Sequence, residues 1–116
     1  MKIAIVGSRN ITDYNLFKDY VLSIIKVKDI DLVISGGARG VDTLAERFAK
    51  EFNIETQIFP ADWNRYGKAA GHIRNKDIIF NSDIVFALWD GKSTGTNNSI
   101  NHAKNMNKQL HVKIIS

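Results

Sequence analysis

Residues 31–52, with the sequence DLVISGGARGVDTLAERFAKEF, decide how this chain is expected to fold. Residues 31–34 are typical of a buried strand, and residues 36–40, GGARG, are typical of a tight turn. After the turn, apolar residues recur at helical spacing, at Val41, Leu44, Ala45, Phe48, Ala49 and Phe52. The stretch therefore predicts a strand, a glycine-rich turn and an amphipathic helix in succession.

The alternation of strand and helix patterns continues on both sides of this unit. It predicts further strands at residues 2–6, 54–59, 83–89 and 109–115. Further helices are predicted at residues 14–25, after Thr12 as N-cap, near residues 69–81, and at residues 97–107. Residues 61–68 are predicted as a loop and residues 91–96 as a turn.

Five strands separated by helices predict an α/β fold in which the strands are mainly parallel. Residues 83–89 are apolar almost throughout, which suits a strand that is buried on both faces of a parallel sheet. We therefore expect one doubly wound, Rossmann-like domain over residues 1–116, with helices on both faces of the sheet.

Composition limits the classes of protein that remain. The 116 residues are 44% hydrophobic and 24% charged with one proline, which indicates one compact globular domain. The absence of cysteine excludes disulfides and thiolate metal sites, and no apolar run is long enough to cross a membrane. A cytoplasmic protein with no membrane partner is expected, and the formal net charge of +4 favours anionic partners.

Three loops are the candidate ligand sites, because ligands of open α/β sheets bind beyond the carboxyl ends of the strands. Residues 7–10, 35–42 and 89–96 follow the first, second and fourth predicted strands and are rich in Gly, Ser, Thr and Arg. Glycines before a helix expose backbone N–H groups at its positive end, which can hold a phosphate. Each loop can also be an ordinary turn that serves packing alone.

Several familiar site patterns are incomplete in this chain. The dinucleotide fingerprint is incomplete, because Arg9 and Thr12 stand where its later glycines belong. A P-loop that ends in Gly91-Lys92-Ser93 is also incomplete, because Phe86 stands where its first glycine is required. The three histidines lack metal-ligand spacing. No metal, cofactor or catalytic residue is therefore predicted.

The motifs taken together resemble one family along nearly the whole chain. They are Gly7-Ser8-Arg9, residues 35–42 (SGGARGVD) with Ala45, residues 60–63 (PADW), residues 67–71 (GKAAG), Ile73-Arg74-Asn75 and residues 89–96 (WDGKSTGT). In this order they resemble the YspA-like branch of the SLOG superfamily, which occurs in bacteria and their phages. The resemblance implies a Rossmann-like domain that binds nucleotides, nucleotide-derived signals or nucleic acid.

Two relatives within that superfamily supply alternative functions. The LOG phosphoribohydrolases carry Gly-Gly-x-Gly-Thr-x-x-Glu, whereas here Gly95-Thr96-Asn97-Asn98 is followed by Ser99, so the catalytic glutamate has no match. Hydrolysis of the N-glycosidic bond of a nucleoside monophosphate is the enzymatic alternative. The Ser-Gly-x-Ala-Arg-Gly-x-Asp segment of DprA is similar to residues 35–42, and it implies single-stranded DNA binding as a third hypothesis.

We therefore expect a nucleotide-ligand-binding domain for sensing or sequestration that is not an enzyme. The resemblance is also compatible with a homo-oligomer. Backbone N–H groups hold the phosphate, arginines add charge, Asp42 and Asp90 contact ribose, and Trp63, Tyr66 or Trp89 pack on a base. The expected ligand-binding residues are Gly7, Ser8, Arg9, Ser35, Gly36, Gly37, Arg39, Asp42, Asp62, Trp63, Arg74, Asn75, Trp89, Asp90, Lys92, Ser93, Gly95 and Thr96.

Overall fold

A five-stranded parallel sheet forms the centre of the computed structural model, which describes residues 1–115. The strands are β1 (Lys2–Gly7), β2 (Leu32–Ser35), β3 (Glu55–Ile58), β4 (Ile84–Trp89) and β5 (Gln109–Ile114). Their order is β3-β2-β1-β4-β5, and all four neighbouring pairs are parallel. The predicted α/β, Rossmann-like sheet is confirmed; Ser116, at the end of the predicted domain, lies outside the described residues.

Helices cover both faces of this sheet. They are α1 (Tyr14–Leu22), α2 (Val41–Glu51), α3 (Trp63–Tyr66), α4 (Ala70–Phe80) and α5 (Thr94–Asn105), with 3₁₀ turns at Val27–Asp29 and Gly67–Ala69. Within residues 1–115, no helix combines the length and apolar character that a membrane crossing requires.

Alternate residues of the strands build two separate cores. Ile3, Ile5 and Phe86 pack with residues of α1 and α2, including Phe17 and Phe48. Their neighbours along the strands, such as Ala4 and Val85, pack with Ile78, Ile79, Ile100 and Ala103 of α4 and α5. The period of two thus places apolar side chains of β1 and β4 on both faces of the sheet, and β4 is buried from Ile84 to Leu88, as its sequence predicts.

The order of the strands fixes where the functional loops meet. The chain runs from β1 outward to β2 and β3, then returns to the other side of β1 with β4 and β5. The switch point therefore lies between β1 and β4, whose carboxyl ends are adjacent. The loops that follow these two strands are brought together there.

Three local predictions were wrong in detail. The N-cap of α1 is Asp13, not Thr12, because its carboxylate accepts the Leu16 N–H at 3.1 Å. The predicted loop 61–68 contains α3, a helix too short to show periodicity, whose N-cap Asp62 accepts the Arg65 N–H at 3.1 Å. The turn predicted at 91–96 ends early, since α5 begins at Thr94.

Candidate functional site

A cleft of about 550 Å³ opens at the switch point, at the carboxyl ends of β1 and β4. It lies between the loop after β1, the start of α2, the segment from α3 into α4, and the loop that leads into α5. Its volume is in the range typical of small-molecule sites.

Two glycines allow these loops to approach one another. A Cβ at Gly7 would lie 2.5 Å from both the Leu88 carbonyl oxygen and Val41 Cγ2. Gly40 has a φ of 75°, and a Cβ there would lie 2.5 Å from the carbonyl oxygens of Ser8 and Arg9. Close backbone packing therefore requires glycine at both positions, of which Gly7 was also a predicted ligand contact.

Asp90 folds the loop between β4 and α5. Its carboxylate accepts the N–H groups of Lys92 at 2.8 Å and Ser93 at 2.7 Å, and the Ser93 hydroxyl at 2.9 Å. The Asp90 N–H donates to Ser8 Oγ at 3.0 Å, which ties this loop to the end of β1. The N–H groups of Ser93 and Lys92 lower the pKa of Asp90 to about 2.

The first turn of α5 faces this arrangement with unused donors. Thr94, Gly95 and Thr96 all line the cleft. Within residues 1–115 the backbone N–H groups of these three residues make no hydrogen bond to the protein. Unpaired N–H groups at the start of a helix are a site for an anion.

The ionisation of Asp90 predicts a pH-dependent stability. Its folded pKa of about 2 lies below the ordinary 3.8, so its contribution is complete above about pH 4 and is lost as the pH falls towards 2. We expect the difference in free energy of unfolding between wild type and Asp90→Asn to narrow over this range, measured by urea denaturation from pH 6 to pH 2. A difference that stays constant with pH would contradict this role for the carboxylate.

Arg74 joins α4 to the loop after β2. Its Nη1 donates to the Gly36 carbonyl oxygen at 2.9 Å, and its Nε donates to Asn75 Oδ1 at 3.0 Å. The Asn75 amide in turn donates to the Gly95 carbonyl oxygen at 3.3 Å and to Asn98 Oδ1 at 3.2 Å. The Arg74 guanidinium is therefore linked to the first turn of α5 through the Asn75 amide.

Asp42 is buried beside Arg74 and is 8% exposed. Its Oδ2 accepts the Ala38 N–H at 3.0 Å. Burial raises the pKa of Asp42 above its ordinary value, while the Ala38 N–H and Arg74 act in the opposite direction. Burial also lowers the pKa of Arg74, and Asp42 opposes that change. The Asp42 carboxylate thus shapes the β2–α2 turn and lies beside the half-buried Arg74 guanidinium.

Most of the predicted ligand-binding residues line the cleft. They are Gly7, Ser8, Arg9, Asp42, Trp63, Arg74, Asn75, Asp90, Ser93, Gly95 and Thr96. The remaining ones, which do not line it, are Ser35, Gly36, Gly37, Arg39, Asp62, Trp89 and Lys92. The indole Nε1–H of Trp89 donates to the Ser93 carbonyl oxygen at 3.0 Å. Tyr66, the other aromatic residue expected to pack on a base, does not line the cleft either.

The structure adds lining residues that were not predicted as contacts. They are Val6, Asn10, Ala38, Lys68, Gly71, His72, Ile78 and Thr94. Lys68 and Gly71 belong to the GKAAG motif at residues 67–71, which is a signal that could have identified them. His72 lies beside that motif, whereas Val6 and Ile78 are ordinary core positions whose place in the cleft depends on the fold.

The charged side chains around the cleft favour an anion. Arg9, Lys68 and Arg74 line it as cations, and its carboxylates, Asp42 and Asp90, both accept backbone N–H groups. No group of three or more potential metal ligands among histidine, cysteine and acidic residues occurs in residues 1–115. The three cations and the unpaired N–H groups of α5 could form charge-assisted hydrogen bonds with an anion.

Comparison with known proteins places the chain in a family. Residues 1–66 match the family described as "YspA, cpYpsA-related SLOG family". The Gene 61 protein of Mycobacterium phage D29 is 32% identical over 110 residues, which cover 89% of this chain and 88% of that protein. A phage relative fits the expected occurrence of this branch in bacteria and their phages.

A solved structure supports the same assignment. It is described as showing the single-stranded DNA binding mode of DNA processing protein A from Helicobacter pylori, and it is similar with a TM-score of 0.65 and 25% sequence identity. The match covers 97% of this chain but spans only 64% of the length of that protein. From the family match, the phage relative and this fold, we conclude that the chain belongs to the YspA, cpYpsA-related SLOG family.

Proposed function

We propose that the cleft binds a nucleotide or nucleotide-derived signal molecule, for sensing or sequestration, with a phosphate group at the first turn of α5. The observation that carries this proposal is the juxtaposition of unused N–H groups at Thr94, Gly95 and Thr96 with the Arg74 guanidinium in one cleft. The family supports a nucleotide or nucleic acid as the class of ligand.

The phosphate end of the ligand is defined by donors of two kinds. The first-turn N–H groups of α5 lie at the positive end of a twelve-residue helix. Arg74 has five N–H donors, and the protein's own acceptors within residues 1–115 engage its Nε and its Nη1. A phosphate beside them would receive charge-assisted hydrogen bonds from a guanidinium whose plane is already fixed.

The base end is expected at the part of the cleft formed by α3 and the start of α4. Trp63 is 56% exposed there, on α3, and its ring lies against Gly71 at the start of α4. Lys68 and His72 line the same side. An exposed indole over a polar cleft offers a surface on which a planar base can stack.

A fluorescence titration tests this orientation. AMP is expected to quench the emission of Trp63, whereas adenosine, which lacks the phosphate, is expected to bind much more weakly. Trp63→Phe should abolish the quenching, and Trp89→Phe should leave it intact, because Trp89 is outside the cleft lining. The emission spectra of the two variants separate the signals of the two tryptophans of this chain.

Two results would contradict the proposal. If AMP and the other nucleoside monophosphates fail to bind at millimolar concentration, the cleft does not hold a mononucleotide. If adenosine binds as tightly as AMP, the phosphate does not contribute, and the assignment of the α5 N-terminus is wrong.

Single-stranded DNA binding is the second candidate, and the specific observation that favours it is the likeness to DNA processing protein A. Arg9, Lys68 and His72 are exposed at the mouth of the cleft, where they can contact phosphates of a strand that enters it. Strand binding predicts an affinity that falls steeply with salt, because several counterions are released, whereas one mononucleotide predicts a shallow slope. Tight, salt-sensitive binding of an oligonucleotide without mononucleotide binding would favour this candidate.

A further inference from the structure

One side-chain amide, that of Asn75, contacts both anion-binding elements of the cleft. Its Oδ1 accepts from Arg74 Nε at 3.0 Å, and its Nδ2 donates to the Gly95 carbonyl oxygen at 3.3 Å and to Asn98 Oδ1 at 3.2 Å. We propose that Asn75 is a positioning residue, which holds the guanidinium and the first turn of α5 in register for one phosphate group. This inference rests on the proposed function.

On the arginine side, Asn75 fixes the plane of the guanidinium. Nε is held by Asn75 and Nη1 by the Gly36 carbonyl oxygen at 2.9 Å. Two bonds from different edges of a planar fork prevent its rotation and leave the other N–H groups available for a ligand. Without Asn75 the side chain regains rotational freedom that phosphate binding must then remove.

On the helix side, Asn75 acts through the peptide bond that joins Gly95 and Thr96. The carbonyl of Gly95 and the N–H of Thr96 point in opposite directions, because they belong to the same trans peptide. A hydrogen bond to the Gly95 carbonyl oxygen polarises that peptide and strengthens the Thr96 N–H as a donor. Thr96 lines the cleft, so the donor that is strengthened belongs to the proposed phosphate site.

The packing of α4 on α5 does not depend on this amide. The two helices share a core that contains Ile78, Ile79, Ile100 and Ala103. Asn75 is only half-buried at the edge of that contact. We therefore expect the loss of the Asn75 amide to lower the melting temperature by only a few degrees, in keeping with the modest net contribution of hydrogen bonds that are at most part-buried.

Calorimetric titration with AMP and adenosine tests the proposal. Asn75→Ala is expected to weaken AMP binding about tenfold, the range of a hydrogen bond to a charged group, and to leave the weak binding of adenosine unchanged. In an Arg74→Ala background the same change should weaken AMP binding by less than about threefold, because the guanidinium it positions is gone. The control is Asn81→Ala at the C-cap of α4, which removes an asparagine side chain that donates to the Asp77 carbonyl oxygen away from the cleft.

The outcomes distinguish failure of the positioning role of Asn75 from failure of the proposed function. If the wild type binds neither nucleoside monophosphates nor adenosine, the proposed function fails and this inference fails with it. If the wild type binds AMP but Asn75→Ala reduces AMP and adenosine affinity equally, or acts additively with Arg74→Ala, only the positioning role is overturned. Asn75→Ser serves as a second variant, and failure of both variants to fold would show a structural requirement and overturn the proposal.

Discussion

Alanine at Gly40 is expected to destabilise the folded protein by about 3 kcal/mol, which is a drop in melting temperature of roughly 12 °C for a chain of this size. Two effects combine at this position. The backbone has φ 75° and ψ −125°, a region that only glycine occupies readily, and a Cβ would lie 2.5 Å from the Ser8 and Arg9 carbonyl oxygens. Because those atoms are backbone, they cannot move aside without distorting the loop after β1.

Gly91→Ala is the matched control for this prediction. Gly91 also has a positive φ, of 80°, but a Cβ there meets nothing within 4 Å. The Gly91→Ala variant should therefore lose only the free energy needed to hold alanine at a positive φ, about 1 kcal/mol. Thermal or urea unfolding of the two variants measures the difference, and equal losses would show that the close approach of the Gly40 turn to the β1 loop is not what stabilises this region.

Replacing Arg74 by alanine is expected to weaken AMP binding by roughly 30- to 100-fold. The estimate follows from the loss of charge-assisted hydrogen bonds to a phosphate, at about 2.1 to 2.8 kcal/mol. Arg74→Lys keeps the positive charge but not the planar fork, so we expect an intermediate loss, about tenfold. Calorimetric titration of the three proteins measures both effects.

The control for Arg74→Ala is another arginine whose guanidinium contacts the protein. Arg47 lies on α2 with its guanidinium 4.0 Å from the centre of the Tyr14 ring, and it does not line the cleft. Arg47→Ala should leave AMP affinity unchanged. Because Arg74 also bonds the Gly36 carbonyl oxygen, melting temperatures are compared first, and unchanged AMP affinity in a folded Arg74→Ala protein would contradict the assignment.

The fold could be predicted largely from patterns that depend on neighbouring residues. The apolar stripe of α2 and the apolar run of β4 each reflect burial of an entire face, which is visible as periodicity. The helix α3 could not be predicted in this way. It has four residues, none of them buried, and it begins because Asp62 caps it.

The candidate site was less predictable because its donors are oriented by contacts between distant segments. Gly36 and Gly37 are glycines before a helix, which is the pattern of a phosphate loop, yet neither lines the cleft. The Gly36 carbonyl oxygen instead accepts from Arg74, 38 residues away. The Asp90 carboxylate accepts the N–H groups of Lys92 and Ser93, so the N–H groups left for a ligand are those at the start of α5. Which backbone N–H groups are already hydrogen-bonded within the protein, and which are left for a ligand, does not follow from the composition of the loops.

A ¹H–¹⁵N NMR titration of the protein with AMP locates the phosphate residue by residue. We expect the backbone amide resonances of Thr94, Gly95 and Thr96 to shift the most on binding, together with the side-chain Nε–H of Arg74. Large shifts confined to other surfaces, with these four resonances unmoved at saturation, would contradict this expectation.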